Sequence, residues 1–226
     1  MTVVISRKTD YQWPGGPKPH LLLYYITDRT QFPGTEPERR ERLLDKIAEA
    51  ALCGIDFVQL REKDLSGREL EFIASEAMQR VRSSGTKTRL LINSRIDIAV
   101  AAGADGVHLR SKDISPEDAR RIWRKANGAK DPVIAVSCHT EAELVTAEEA
   151  SVDFVVFGPV FGKFEGLATR LDGLRPVCRH KVSVFALGGV TLTNARSCID
   201  AGAVGIAGIR LFQENKVATI VKALRR

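Results

Sequence analysis

Apolar and polar positions alternate along this chain on two scales. Eight short runs rich in β-branched residues read as strands: Leu21 to Thr27, Asp56 to Leu60, Arg89 to Ile92, Gly106 to Leu109, Val133 to Val136, Phe154 to Phe157, Val182 to Leu187 and Val204 to Ile209. Between them apolar residues recur every three or four positions. Leu43, Leu44, Ile47, Ala48 and Ala51 form one such set, and Leu70, Ile73, Ala77 and Val81 the next. That spacing is the period of a helix with one buried face. Strict alternation of strand and helix implies parallel strands, since parallel neighbours need a crossover between them. Eight units at this length predict an α/β fold, a (β/α)8 TIM barrel in one domain.

Local signals fix the element starts. Ser66 three residues before Glu69, and Thr140 three before Glu143, predict capping boxes, and Ser115 ahead of Pro116 predicts a third helix start. Thr191 or Thr193 is expected to cap the helix after strand seven. The repeated Ala102-Gly103-Ala104 and Ala201-Gly202-Ala203 mark helix ends that turn tightly into the next strand. Residues 1–20, which include Trp13-Pro14-Gly15-Gly16-Pro17, show no period and read as an N-terminal tail ahead of a barrel over 21–226.

In a closed parallel barrel the C-terminal strand ends share the face on which active sites are built. Here they carry Asp28, Gln59 to Lys63, Asn93-Ser94-Arg95, His108-Leu109-Arg110, Ser137-Cys138-His139, Gly158-Pro159, Gly188-Gly189 and Gly208-Ile209-Arg210. Gln59, Arg61 and Lys63 alternate and so point to one side, where a guanidinium and an ammonium together suit phosphate or pyrophosphate. A competing arrangement pairs Arg61 and Lys63 with Glu62 and Asp64 at a solvated rim. Gly188, Gly189, Gly208 and Ile209 end strands seven and eight, whose loops in such barrels present backbone N–H groups to a phosphate. His108 and His139 suit proton transfer, and Asp113 suits Mg2+, though each also fits a structural role.

Composition narrows the partners. A chain of 226 residues, 44% hydrophobic and 27% charged, has the balance of a soluble globular protein. No apolar run approaches the roughly 18 residues of a membrane span, and no signal-peptide pattern opens the chain, so a cytoplasmic location is expected. Cys53, Cys138, Cys178 and Cys198 form no C-x-x-C pair, which argues against a zinc site or a disulfide framework. The net charge of +6 favours anionic partners. Its clusters at Arg39-Arg40, Arg120-Arg121 and Arg225-Arg226 lie among helix formers without aromatics, so they read as solvated helix faces and not as a nucleic-acid surface.

Seven ordered motifs then carry a resemblance. They are Tyr25-Ile26-Thr27-Asp28, Val58-Gln59-Leu60-Arg61-Glu62-Lys63-Asp64, Leu91-Ile92-Asn93, Ala104-Asp105-Gly106-Val107-His108-Leu109, Val136-Ser137-Cys138-His139-Thr140, Phe157-Gly158-Pro159-Val160-Phe161 and Leu187-Gly188-Gly189-Val190. In order and spacing the chain resembles the thiamine phosphate synthase family, which also contains thiazole tautomerases. The resemblance implies an enzyme that joins a hydroxymethylpyrimidine diphosphate to a thiazole phosphate and releases pyrophosphate. By position, Arg61, Lys63 and Asn93 would hold the pyrophosphate, Gln59 and His108 would line the pyrimidine pocket, and Ser137 would lie near the leaving group. Gly158 belongs to the strand-six motif, and Gly188, Gly189, Gly208 and Ile209 would hold the thiazole phosphate. Asp113 matches one of two Mg2+-binding aspartates, and a homodimer is the candidate assembly.

The departures from the family pattern are concentrated. Ser94 stands where the second metal aspartate is usual, and Arg210 where a serine is usual. Gly162-Lys163-Phe164-Glu165-Gly166 replaces a Pro-Thr-x-Thr-Lys loop, leaving Lys163 or Arg170 as substitute cations. These changes keep two alternatives open beside the synthase: a metal-independent tautomerase, with His139 as its acid/base, and a non-catalytic phosphate-binding barrel.

Overall fold

The computed structural model describes residues 21–128, 131–162 and 171–225. The eight predicted runs all form strands: β1 Leu22–Ile26, β2 Phe57–Leu60, β3 Arg89–Asn93, β4 Gly106–Leu109, β5 Val133–Cys138, β6 Phe154–Phe157, β7 Ser183–Ala186 and β8 Gly205–Gly208. They pair in parallel, each with its sequence neighbour, and β1 closes on β8 through Leu22 opposite Gly205. The helices between them are α1 Glu36–Leu52, α2 Gly67–Ser83, α3 Ile96–Ala101, α4 Pro116–Asn127, α5 Glu141–Glu149, α6 Leu171–Val177, α7 Ala195–Asp200, α8 Arg210–Gln213 and α9 Val217–Leu224. The result is the expected (β/α)8 barrel.

Alternate strand residues divide the core in two. Those facing outward, such as Leu23, Val58, Leu90 and Ile92, pack against the apolar stripes of the helices, including Leu43, Ile47, Ile73 and Ala77. Those facing inward put Tyr24, Phe57, Phe154 and Phe185 at the barrel centre, with ring centroids between 4.7 and 6.0 Å apart. The barrel is therefore plugged by aromatic side chains, and polar chemistry is confined to its mouth.

The capping boxes at Ser66 and Thr140 form as predicted, Ser115 caps α4, and an unpredicted box joins Thr35 to Glu38 ahead of α1. The expected threonine cap of α7 does not form. Asn194 is the capping residue, and its Oδ1 accepts the Thr191 N–H at 2.8 Å, so the asparagine organises the turn that the threonines were expected to organise. Gly103 and Gly202 adopt the left-handed conformation expected of helix-ending glycines.

Several basic residues read as solvated helix faces bond inside the fold. Arg225 donates to the Gly54 and Leu21 carbonyls and pairs with Asp56 at the base of the barrel, and Arg120 donates to the Ala150 carbonyl. Arg226 and the proposed tail over residues 1–20 lie outside the described residues. Among the described residues no helix is long and apolar enough to cross a membrane. All four cysteines are free thiols.

Candidate active site

The mouth is organised first around β2. Thr27, buried just past β1, donates through Oγ1 to Glu62 at 2.6 Å and accepts the Arg61 N–H at 3.0 Å. Arg29 then gathers the acidic residues of this segment. Its backbone N–H and Nη1 donate to Glu62 at 3.0 and 3.2 Å, its Nη1 and Nη2 grip Asp64 at 2.7 and 2.8 Å, and its Nε reaches Glu36 at 2.7 Å. The hydrogen bonds that Arg29 donates to Asp64, and to Glu36 and Glu62, raise its pKa, so this buried guanidinium stays charged.

This arrangement decides the local pairing left open by the sequence. Glu62 and Asp64 belong to Arg29, and among the described residues Arg61 and Lys63 have no ion-pair partner. The charge of Arg61, then burial and the charge of Arg110, push the Lys63 ammonium below its ordinary pKa. A lysine in that state gains from the arrival of an anion.

Next to this cationic end lies a chain of polar contacts across β3 and β4. Gln59, buried inside the barrel, donates to Asn93 Oδ1 at 3.3 Å, and Asn93 Nδ2 donates to Ser94 Oγ at 3.1 Å. The Ser94 N–H donates to the His108 carbonyl at 2.9 Å, and its φ of 61° bends the chain away from the barrel wall. His108 is buried between the Tyr24 hydroxyl, 2.9 Å from Nδ1, and the Ser137 hydroxyl, 2.7 Å from Nε2. Burial first, and then the charge of Arg61, lower its pKa to about 3. The ring is neutral at ordinary pH, so one nitrogen donates and the other accepts.

Asp113 lies in the loop between β4 and α4. Its carboxylate accepts the Arg110 backbone N–H at 2.7 Å, Nη2 at 2.9 Å and Nε at 3.2 Å. Burial would raise its pKa, but the hydrogen bonds from Arg110 and from the Ser94 hydroxyl hold it below the usual carboxylate value. The residues expected to hold Mg2+ thus comprise one carboxylate engaged by a guanidinium and one neutral hydroxyl. Among the described residues no group of three or more His, Cys, Asp or Glu side chains could hold a metal. One carboxylate already engaged by a guanidinium, beside a neutral hydroxyl, is a poor protein donor set for Mg2+, which would have to draw its remaining oxygens from substrate and water.

The opposite side of the mouth is built from backbone. Gly188 and Gly189 have φ of 97° and 66°, and a Cβ on them would come within 2.7 Å of Pro159 Cα and 2.6 Å of the Phe161 carbonyl oxygen. Packing against the β6 loop therefore requires glycine at both positions. His139 braces the same loop. Its Nδ1 lies 2.6 Å from the Gly158 carbonyl, which can only accept, so Nδ1 bears the proton. Gly208 ends β8, Ile209 precedes α8, and Arg210 is exposed with no ion-pair partner among the described residues. Lys163, Phe164, Glu165, Gly166 and Arg170 of the strand-six loop lie outside the described residues.

The structure thus brings Gln59, Arg61, Lys63, Asn93, His108, Ser137 and Asp113 to the ends of β2 to β5. It sets His139, Gly158, Gly188, Gly189, Gly208, Ile209 and Arg210 along the ends of β5 to β8. Sequence reasoning missed Arg29, and it gave Arg110 no role beyond its place among the strand-end residues. Arg29 directly follows the Asp28 motif, but nothing local announces its partners Glu62 and Asp64, whereas the partner of Arg110 is Asp113, three residues on. Chemically, the arrangement can receive two phosphate groups, one on cationic side chains and one on glycine backbone.

Comparison with known proteins points to one family. A family model described as thiamine monophosphate synthase matches residues 23–212. The thiamine-phosphate synthase of Clostridium novyi (strain NT) is 35% identical over 201 residues, covering 85% of this chain and 91% of the relative. That of Koribacter versatilis (strain Ellin345) is 35% identical over 192 residues, covering 83% and 86%. The solved thiamine phosphate pyrophosphorylase of Pyrococcus furiosus superposes with a TM-score of 0.73 at 29% identity, covering 92% of this chain and 95% of that one.

Proposed function

The chain belongs to the thiamine monophosphate synthase family, and from that membership we propose a transferase of thiamine biosynthesis that joins a hydroxymethylpyrimidine diphosphate to a thiazole phosphate and releases pyrophosphate. The observation that carries this reading is the freedom of Arg61 and Lys63, whose neighbouring carboxylates are held by Arg29. The relatives carry the synthase name, which favours this reading over a tautomerase or a non-catalytic barrel.

In the reaction the carbon–oxygen bond between the pyrimidine methylene and the pyrophosphate breaks, and the electron pair leaves on oxygen. The thiazole nitrogen then gives its lone pair to the methylene carbon. Negative charge grows on the departing pyrophosphate, so preorganised cations aimed at it lower the barrier more than they tighten substrate binding. Arg61 and Lys63 take that role, with the Asn93 amide beside them. Gln59, steadied by Asn93, and neutral His108 line the pyrimidine half. An uncharged imidazole can hydrogen bond there without opposing the positive charge that develops on the pyrimidine. Ser137, held by His108, meets the leaving group.

On the far side the backbone of Gly188, Gly189, Gly208 and Ile209, with Arg210, receives the thiazole phosphate. The bond exchange itself moves no proton, so His139 acts as a positioning residue for the Gly158 turn. No step runs through Mg2+, whose donor set is incomplete. Incubation with both substrates, following thiamine phosphate and pyrophosphate together, tests the reading. Equal release of the two products is expected, and no thiamine phosphate above background would refute it.

A further inference from the structure

The loop after β4 carries a residue that neither composition nor the family pattern assigns to the site. Arg110 places two of its guanidinium nitrogens and its backbone N–H on the Asp113 carboxylate. That leaves Nη1 without a partner among the described residues, on a side chain that is 59% exposed. Asp113 is only 9% exposed, so it is the buried anchor and Arg110 the presented group.

The register puts this pair beside the pyrophosphate clamp. Leu60 pairs with Ile92 and Asn93 with His108, so the chain leaving β2 at Arg61, β3 at Ser94 and β4 at Arg110 emerges from three adjacent strand ends. Ser94, at the end of β3, accepts from Asn93 Nδ2 at 3.1 Å and helps hold the Asp113 carboxylate ionised. Lys63 senses the charge of Arg110, which places the two cations in one electrostatic neighbourhood.

A charge count shows what the exchange accomplishes. Two carboxylates around a divalent cation sum to zero. Here Ser94 contributes no charge, and Asp113 with Arg110 also sums to zero. The balance is kept while the Lewis acid is replaced by a forked N–H donor suited to phosphate oxygens.

We propose that Arg110, oriented by Asp113, takes the place of a divalent cation and hydrogen bonds the pyrophosphate directly, so that the diphosphate site of this chain works without metal. The inference rests on the transferase reading above, but its test is separate. Asp113 is then a positioning residue for Arg110.

Titration calorimetry of the full-length protein with inorganic pyrophosphate, in EDTA and in excess Mg2+, decides it. Binding in EDTA is expected to lie within about threefold of that in Mg2+. Arg110→Ala should weaken it roughly 10- to 100-fold in EDTA, the worth of a lost charge-assisted contact. Arg110→Lys, which keeps the charge and loses the fork, should fall between, and it decides the matter should the alanine variant not fold. Ser94→Asp combined with Arg110→Gly should make binding depend on Mg2+, and aspartate tolerates the left-handed backbone at that position. Pyrophosphate that binds only with Mg2+, that fails to bind in either buffer, or that binds Arg110→Ala as tightly as the parent overturns the proposal. Thiamine phosphate formation that proceeds in Mg2+ but stops in EDTA overturns this inference alone and leaves the transferase reading standing.

Discussion

The two halves of the barrel mouth offer an anion different things. At β2 to β4 the charge sits on side chains: Arg61 and Lys63, whose neighbouring carboxylates Arg29 occupies, and Arg110, oriented by Asp113. At β7 the site is main chain, and its glycines are locked by contact with Pro159 and Phe161. Only one of these halves is open to rewiring. A side-chain site can exchange a ligand, as the serine at position 94 illustrates, provided that total charge is kept. A backbone site cannot change a residue without moving the loop packed against it.

The most disruptive way to break the contrast is Arg29→Met. Glu62 would be left buried and unpaired, and Asp64 would be freed to draw Lys63 away from the substrate. Urea unfolding should show a loss of about 3–5 kcal/mol, the usual cost of breaking a buried ion pair from one side. Activity should fall with it.

Beneath both halves lies neutral His108. Its pKa in the folded protein is about 3, against an ordinary value of 6.5. Between those values the unfolded chain binds more protons, so stability falls as pH drops through that window. His108→Asn should flatten the dependence of Tm on pH across the same range. An unchanged slope would show that His108 does not control the acid limb.

Gly189→Ala tests the backbone half. Strain at a φ of 66° and the clash with Phe161 should cost roughly 1–3 kcal/mol of stability. The KM for thiazole phosphate should rise while that for the pyrimidine diphosphate stays nearly constant. Equal increases in both would mean that the two halves are one mechanical unit.

The smallest effect comes from Lys63. Its depressed pKa means that the free ammonium loses its proton earlier than an ordinary lysine as pH rises. A bound pyrophosphate favours the charged form, so affinity should decline with increasing pH through that lowered pKa. Lys63→Arg should remove the decline, because arginine stays protonated.

The barrel was readable in the sequence because its causes are local. Every strand begins and ends within two residues of the predicted run, and the boxes at Ser66 and Thr140 follow from residues three apart. The α7 cap misled because Thr191 and Thr193 have capping chemistry, yet Asn194 takes the cap position without a side-chain cap bond and ties back to Thr191 and Gly189 instead. The site was readable in part. The alternation of Gln59, Arg61 and Lys63 announced a clamp or a salted rim, and nothing local chose between them. The choice came from Arg29, which lies 33 residues from Glu62 in sequence. Asp113 was legible as a carboxylate suited to metal, but its partner depends on how the loop after β4 folds back on Arg110. Long-range pairing of charges leaves no period to read.

If the two halves bind different phosphates independently, damage to one should spare the other. Calorimetric titration of Arg61→Ala with pyrophosphate and with thiazole phosphate tests this most directly. Pyrophosphate binding should weaken roughly tenfold or more, by loss of a charge-assisted fork, while thiazole phosphate binding should stay within about twofold of the parent. Equal weakening of both ligands, or no change in either, would contradict it.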